Sequence, residues 1–332
     1  MRMVFYGKKI FVLVLIMSIS RLTAAMDNPF YCESARSAGM GGAYTPAPDD
    51  ASALFYNPAG LMYIEQKSIS VFGRVFNYDF ETDSGRENYF NSNIGGSAVF
   101  PGWGAGFVYV NYGDRLTSVP GNDFMEEALI IAGGFAQGSG NLNIGAGVRL
   151  ILFSDAAEGV CFTLSGIYEI NKYLRGAVVL ENIINSGYAS VIDDYSSVYP
   201  TLHPVTVNIS LASAPYKNIT MVTGAKIPLG GGYIYTENAD NFVKDFYAVS
   251  FHTGFEYTIR DTAVLRAGVS GKETYDSGIS AEAKRKMRCS AAAGLGFYVD
   301  FVKIDAAAVY EFGRSAESSA PVKYYFSTNM IY

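Results

Sequence analysis

The sequence predicts an all-β fold: a closed antiparallel transmembrane barrel of about 14 strands, preceded by an export signal and an N-terminal plug. Three observations lead there. From Ser68 onward the chain repeats segments of alternating polarity, and the connections between them alternate long and short. No stretch beyond the N-terminus approaches the roughly 20 uninterrupted apolar residues that a membrane helix needs, so any later crossing is made by strands.

The first element, residues 1–25, reads as a secretory signal. Arg2, Lys8 and Lys9 form its positive start, Ile10 to Ile19 its apolar stretch, and Thr23, Ala24 and Ala25 its small-residue cleavage site. Residues 26–67 follow as a separate segment, rich in small and turn-forming residues. Asp49 or Asp50 is placed to cap a short helix running through Tyr56, which Pro58 and Gly60 end. Gly39, Gly41 and Gly42 permit close backbone approach or positive φ. Such a piece needs a surface to pack on, and the barrel interior supplies it.

Residues 68–332 form the barrel, with segments starting near Ile69, Ile94, Trp103, Ala128, Leu142, Val160, Tyr173, Val205, Ile219, Tyr247, Ala263, Met287, Phe301 and Val322. The last is the clearest. Val322, Tyr324, Phe326, Thr328, Met330 and Tyr332 share one face, while Lys323, Tyr325, Ser327 and Asn329 share the other. Alternation alone also suits a soluble sandwich. The rhythm of connections separates the two: long ones at 81–93, 113–127, 184–204, 228–246, 271–286 and 313–321, short ones near Gly102, Gly138 to Gly140, Lys172, Ala214 to Lys217, Asp261 and Asp300. The 154–158 connection is short where a long one is expected. On this register Arg74, Arg149, Glu169, Arg175, Glu181, Arg266 and Lys303 face the lumen, sparing the roughly 2–4 kcal/mol that a basic residue costs at the lipid-facing midplane.

Composition agrees. Hydrophobic residues make up 49% of the 332 and charged ones 17%, with 25 Tyr, 22 Phe and 35 Gly. The net charge of -6, with no Lys/Arg cluster, argues against a nucleic-acid partner. Cys32, Cys161 and Cys289 are too scattered for a disulfide scaffold or a zinc site. Asn28, Pro29, Phe30 and Tyr31 are too bulky before Cys32 for a lipidation signal. A bridge from Cys32 to the lumen-facing Cys161 is conceivable in an oxidising compartment, and Cys289 faces lipid. His252 faces the lumen beside Glu256, but no nucleophile elbow accompanies it, so it reads as lining and the chain as no enzyme.

The stretch from Ser34 to Leu61 resembles the N-terminal signature of the FadL-like long-chain fatty-acid transporter superfamily, which also includes PorV-type proteins of protein secretion and spirochaete-type paralogue families. The matching pieces are Ser34-Ala35-Arg36, Gly39-Met40-Gly41-Gly42-Ala43, Asp49-Asp50-Ala51-Ser52-Ala53 and Asn57-Pro58-Ala59-Gly60. The rest of the chain matches only in strand number and pattern. The resemblance implies a 14-stranded outer-membrane barrel plugged by a hatch, with Asn57, Pro58 and Ala59 as hatch motif and Gly39, Gly41 and Gly42 as the turn beside it. It also implies a fatty-acid-like ligand and surrounding outer-membrane lipid, no cofactor, and barrel assembly machinery as the partner of the C-terminal strand ending at Tyr332. Gly95, Gly96, Gly104 and Gly106 fall on the second and third strands, where the resembled transporters bend to open a lateral exit; the plainer reading is that they let the plug pack close. Phe72, Phe76 and Tyr298 as aromatic lumen positions favour a hydrophobic ligand. The rival roles are a PorV-like barrel that hands over exported proteins and a closed structural or adhesin barrel.

Overall fold

The computed structural model describes residues 34–48, 50–82, 85–111, 127–153, 158–183, 205–229, 232–234, 243–245, 249–276, 284–312 and 322–332. The signal, residues 26–33 with Cys32, Asp49 and most of the long connections lie outside them.

Fourteen strands close into one antiparallel barrel: β1 (Ser68–Thr82), β2 (Gly85–Phe100), β3 (Trp103–Asn111), β4 (Glu127–Ser139), β5 (Leu142–Phe153), β6 (Glu158–Asn171), β7 (Leu174–Glu181), β8 (Thr206–Tyr216), β9 (Ile219–Pro228), β12 (Ser250–Ile259), β13 (Ala263–Asp276), β14 (Lys284–Val299), β15 (Val302–Phe312) and β16 (Val322–Ile331). Every strand pairs with its sequence neighbour, and β16 returns to β1 with Ser68 opposite Ile331. Closure leaves no free edge, which matters where no water can satisfy an exposed ladder. The remaining pair, β10 (Gly232–Ile234) and β11 (Val243–Asp245), forms a separate two-stranded hairpin inside the predicted 228–246 connection.

Most strand starts fall within three residues of expectation. The exception is β2, which begins at Gly85 rather than near Ile94: Phe76 to Thr82 pair with Gly85 to Asn91, so the expected 81–93 loop is mostly a hairpin. The 271–286 connection is shortened likewise, with β13 running to Asp276 and β14 starting at Lys284. In both cases backbone pairing extends the ladder past the end of the clean alternation, because ladder bonds satisfy the main chain whatever the side-chain pattern.

The short connections are tight turns at one end of the barrel. Arg260 and Asp261 both have positive φ (49° and 55°), as a two-residue hairpin with the favoured twist requires. Register shifts at Glu169/Asn171 and Ser213/Tyr216 sit at this end too. Tyr332 N donates to Lys67 O (2.8 Å), so the barrel starts and finishes at this end.

The two faces separate as the alternation predicts. Ile304, Tyr324 and Phe326 point outward at 46–55% exposure, while Lys303, Asp305, Lys323, Tyr325, Ser327 and Asn329 are buried inside. Phe107, Phe135, Ile144, Leu164, Ile209, Leu295 and Phe297 continue the apolar outer surface around the ring. An apolar surface of this extent suits lipid rather than water. Arg74, Glu181, Arg266 and Lys303 are buried on the inner face as expected.

Candidate functional site: the segment inside the barrel

Residues 34–64 lie against the inner wall. Helix α1 (Ala35–Gly39) starts at Ser34, whose Oγ accepts from Ser37 N (3.2 Å). It stops where Gly41 and Gly42 take φ of +65° and +81°, their N–H groups donating to Ala38 O and Ser37 O. Helix α2 (Ala53–Tyr56) corrects one expectation. Its N-cap position is Ser52, and Asp50 accepts from Ser52 N (2.9 Å) and Ser52 Oγ, making a turn before the helix instead of capping it.

The helix ends at Tyr56 as predicted, but Pro58 then opens a 3-10 helix, η1 (Pro58–Tyr63). Asn57 organises that junction. Its Oδ1 accepts from Ala59 N (3.1 Å) and its Nδ2 donates to Thr45 O (2.8 Å), tying the second half of the segment to the first. Gly60 is needed because a Cβ there would lie 2.2 Å from Pro48 Cγ.

The contacts with the wall are of two kinds. Along β12, β13 and β15 they are ionic. Arg36 Nε and Nη2 donate to Glu256 Oε2 and Oε1 (2.8 and 2.7 Å), Arg266 Nε donates to the same Oε2 (2.7 Å), and Arg266 Nη1 donates to Asp305 Oδ1 (2.7 Å). Lys303 Nζ stands 3.8 Å from Asp305 Oδ2, and Arg36 Nη1 stands 3.8 Å from Asp50 Oδ2. All six residues are buried, and three cations face three anions, so the set is neutral. Burial alone would raise the Asp50 carboxyl, but Arg36, Lys303 and the Ser52 hydrogen bonds hold it below the ordinary carboxylate range.

Along β1 to β6 the contacts are mainly apolar, with Ser97 Oγ of β2 donating to Ala51 O (3.1 Å) among them. Leu54, Phe55, Tyr56, Leu61 and Ile64 pack with Phe72, Val99, Val108, Val110, Ile130 and Ile151 of the wall. Phe55 meets Phe72 edge-to-face at 5.5 Å. Beyond them Ala59 N donates to Ser165 Oγ of β6 (2.9 Å).

The wall yields space through glycines that sequence reasoning passed over. A Cβ on Gly268 would lie 2.1 Å from Met40 C, on Gly254 2.5 Å from Met40 O, and on Gly145 2.2 Å from Ala59 N. Gly39 and Gly294 face each other across the interface, each with a built Cβ 3.1 Å from the other's Cα. The signal was present: these wall glycines alternate on the inward positions of their strands. The Arg36–Glu256 pair was also missed, although a lone arginine in a run of small residues, if buried, demands an acid.

The structure thus brings Gly39, Gly41, Gly42, Asp50, Asn57, Pro58, Ala59 and Gly60 together in one interior segment. Gly95, Gly104 and Gly106 face inward, where a Cβ would crowd Phe72, Val99 and Phe55 respectively, and Gly96 lies against Phe107 on the outer side. The β2–β3 ladder runs without a break from Ser92–Asn111 to Phe100–Trp103. His252 is buried on the inner face of β12, and Cys161 is buried in the apolar cluster.

No protein-family model and no curated protein matches the chain. Solved structures do. A Pseudomonas aeruginosa FadL homologue superposes with TM-score 0.63 at 12% identity, over 93% of this chain and 100% of that one. The Pseudomonas putida toluene transporter TodX gives 0.63 at 14% over the same shares, and the CymD monoaromatic hydrocarbon channel 0.62 at 12% over 90% and 97%. Over most of its length the chain has the FadL-type barrel fold.

Proposed function

We propose that this chain is an outer-membrane channel through which hydrophobic small molecules, fatty acids or similar compounds, diffuse passively past residues 26–67 acting as a hatch. One observation carries the reading: the barrel is closed on itself and the segment inside it presents an apolar side, Leu54, Phe55 and Leu61, to an apolar stripe of wall. A ligand without polar groups can replace those contacts with its own at little cost, since dispersion and burial are non-directional. The fold shared with a toluene transporter and a monoaromatic hydrocarbon channel supports the same ligand class. Asn57 and its two hydrogen bonds hold the hatch in shape, and the glycines of β2 and β3 are the place for a lateral exit. The test is uptake of a labelled fatty acid, and separately of labelled toluene, by cells expressing the protein or its Asn57→Ala variant. The protein should exceed the empty control for at least one solute, with uptake altered in the variant. Equality of both with the control for both solutes would overturn the proposal.

A further inference from the structure

A cavity of about 240 Å³ lies inside the strand ring at the short-turn end, lined by Asp50, Tyr63, Glu65, Tyr298, Lys303 and Asn329 among others. Two buried, unpartnered oxygens belong to its lining. Asn329 Oδ1 and Asp50 Oδ2, on residues 2% and 7% exposed, make no hydrogen bond, the second having only Arg36 Nη1 at 3.8 Å. Strand register places three more on the same inner face: Ser70 Oγ opposite Asn329, and Asp305 Oδ2 beside Ser327 Oγ, none with a hydrogen bond. Lys303, opposite Asn329, is occupied with Asp305 at 3.8 Å and with the Tyr298 ring, its Nζ 5.3 Å from the centroid.

Arg266 Nη2, beside Asp305, is an unpartnered donor on that face, but the two unpartnered atoms on the lining itself, Asn329 Oδ1 and Asp50 Oδ2, are oxygens that can only accept. Leaving a buried acceptor without a donor costs about 1–3 kcal/mol. On the lining itself two carboxylates, Asp50 and Glu65, outnumber one amine, Lys303. The favoured occupant therefore brings N–H donors and a positive charge, and a carboxylate would meet oxygen on most sides. The rings of Tyr63 and Tyr298 complete a wall that tolerates a cation.

We propose that this cavity is a subsite for the primary ammonium group of a small soluble amine. Its position on the inner face, away from the lipid-facing surface, makes the occupant a solute. The subsite does not depend on the hydrophobic-transport reading, because binding is measured without any uptake. The test titrates the full-length protein in uncharged detergent with ethylammonium chloride, and in parallel with sodium propionate, followed by saturation-transfer NMR. Ethylammonium should bind saturably and propionate should not. Asn329→Leu should weaken ethylammonium about 10-fold, in line with the loss of one hydrogen bond to a charged group. Ser70→Ala, a smaller change that serves if the first variant fails to fold, should weaken it by less. Absence of saturable ethylammonium binding, equal binding of propionate, or undiminished binding in the folded variants would overturn the proposal.

Discussion

Replacing Arg36 by methionine tests whether the ionic contacts hold the interior segment. The change keeps a long apolar stem and removes two charge-assisted hydrogen bonds to Glu256, at 2.7 and 2.8 Å, between residues 5% and 7% exposed. Breaking a buried pair by removing one partner costs about 3–5 kcal/mol. Glu256 keeps Arg266 Nε at 2.7 Å, whereas Asp50 Oδ2 loses the Arg36 Nη1 at 3.8 Å, so the loss is at least the lower end, about 3 kcal/mol. At about 1.4 kcal/mol per decade this shifts the docked equilibrium of the segment on the order of 100-fold. Hydrogen exchange of the α1 amides, followed by mass spectrometry, reads that equilibrium. The control is Arg175→Met, whose pair with Glu169 is 3.6 Å long and 39% exposed on each side and whose contact with the segment, the Tyr63 ring at 4.4 Å, falls on η1 and not α1, so the same substitution there should change α1 exchange by less than about 5-fold. Equal exchange of α1 in Arg36→Met and the unaltered protein, with the barrel still heat-modifiable on gels, would refute the ionic anchor.

Three further outcomes are expected. Gly268→Ala should loosen the segment, because its Cβ would stand 2.1 Å from the Met40 backbone, whereas Gly166→Ala, whose nearest neighbour is 3.8 Å away, should leave α1 exchange unchanged. Phe326→Arg places a charge on the 46% exposed outer face and should cost about 2–4 kcal/mol of barrel stability, read as a lower denaturant midpoint in vesicles; inward Ser327 carries no such penalty for lipid. Asp50, held below the ordinary carboxylate range, contributes stability above its undocked value of about 3.9 and loses it as pH falls through its own lowered value. Exchange of the segment, corrected for intrinsic rate, should therefore stay flat from pH 7 to about 5 and rise in stronger acid, and Asp50→Asn should reduce that rise, the remainder belonging to the Glu256 carboxylate that holds Arg36.

Strands were legible because lipid and lumen impose opposite chemistry on alternate residues, so Val322 to Tyr332 announces both faces without any partner. The short turns were legible because Gly102, Asp261 and Asp300 mark positive φ. Ladder length was not: the β1–β2 hairpin continues through Asn77, Asp79 and Asn88, whose side chains break the alternation while their backbones still pair. The interior segment could be bounded from its glycines and prolines, yet its docking could not, since Arg36 and Glu256 are 220 residues apart and nothing local couples them. The cap illustrates the same limit. Asp50 and Ser52 are both good capping residues, and in the fold Asp50 turns to Ser52 N and towards Arg36 while Ser52 takes the N-cap position.

On the proposed hatch reading, the two kinds of wall contact differ in what moving the segment would cost. Moving the segment away from β12, β13 and β15 would separate the buried Arg36 from the buried Glu256, and no apolar ligand could compensate them. Moving it away from β1 to β6 separates Phe55 from Phe72 and Leu54 from its neighbours, losses that an apolar ligand in the gap restores by taking their place, and it also breaks the Ser97–Ala51 and Ala59–Ser165 hydrogen bonds, which such a ligand does not restore. On that reading the neutral ionic set is the fixed side of the segment and the mainly apolar side the yielding one.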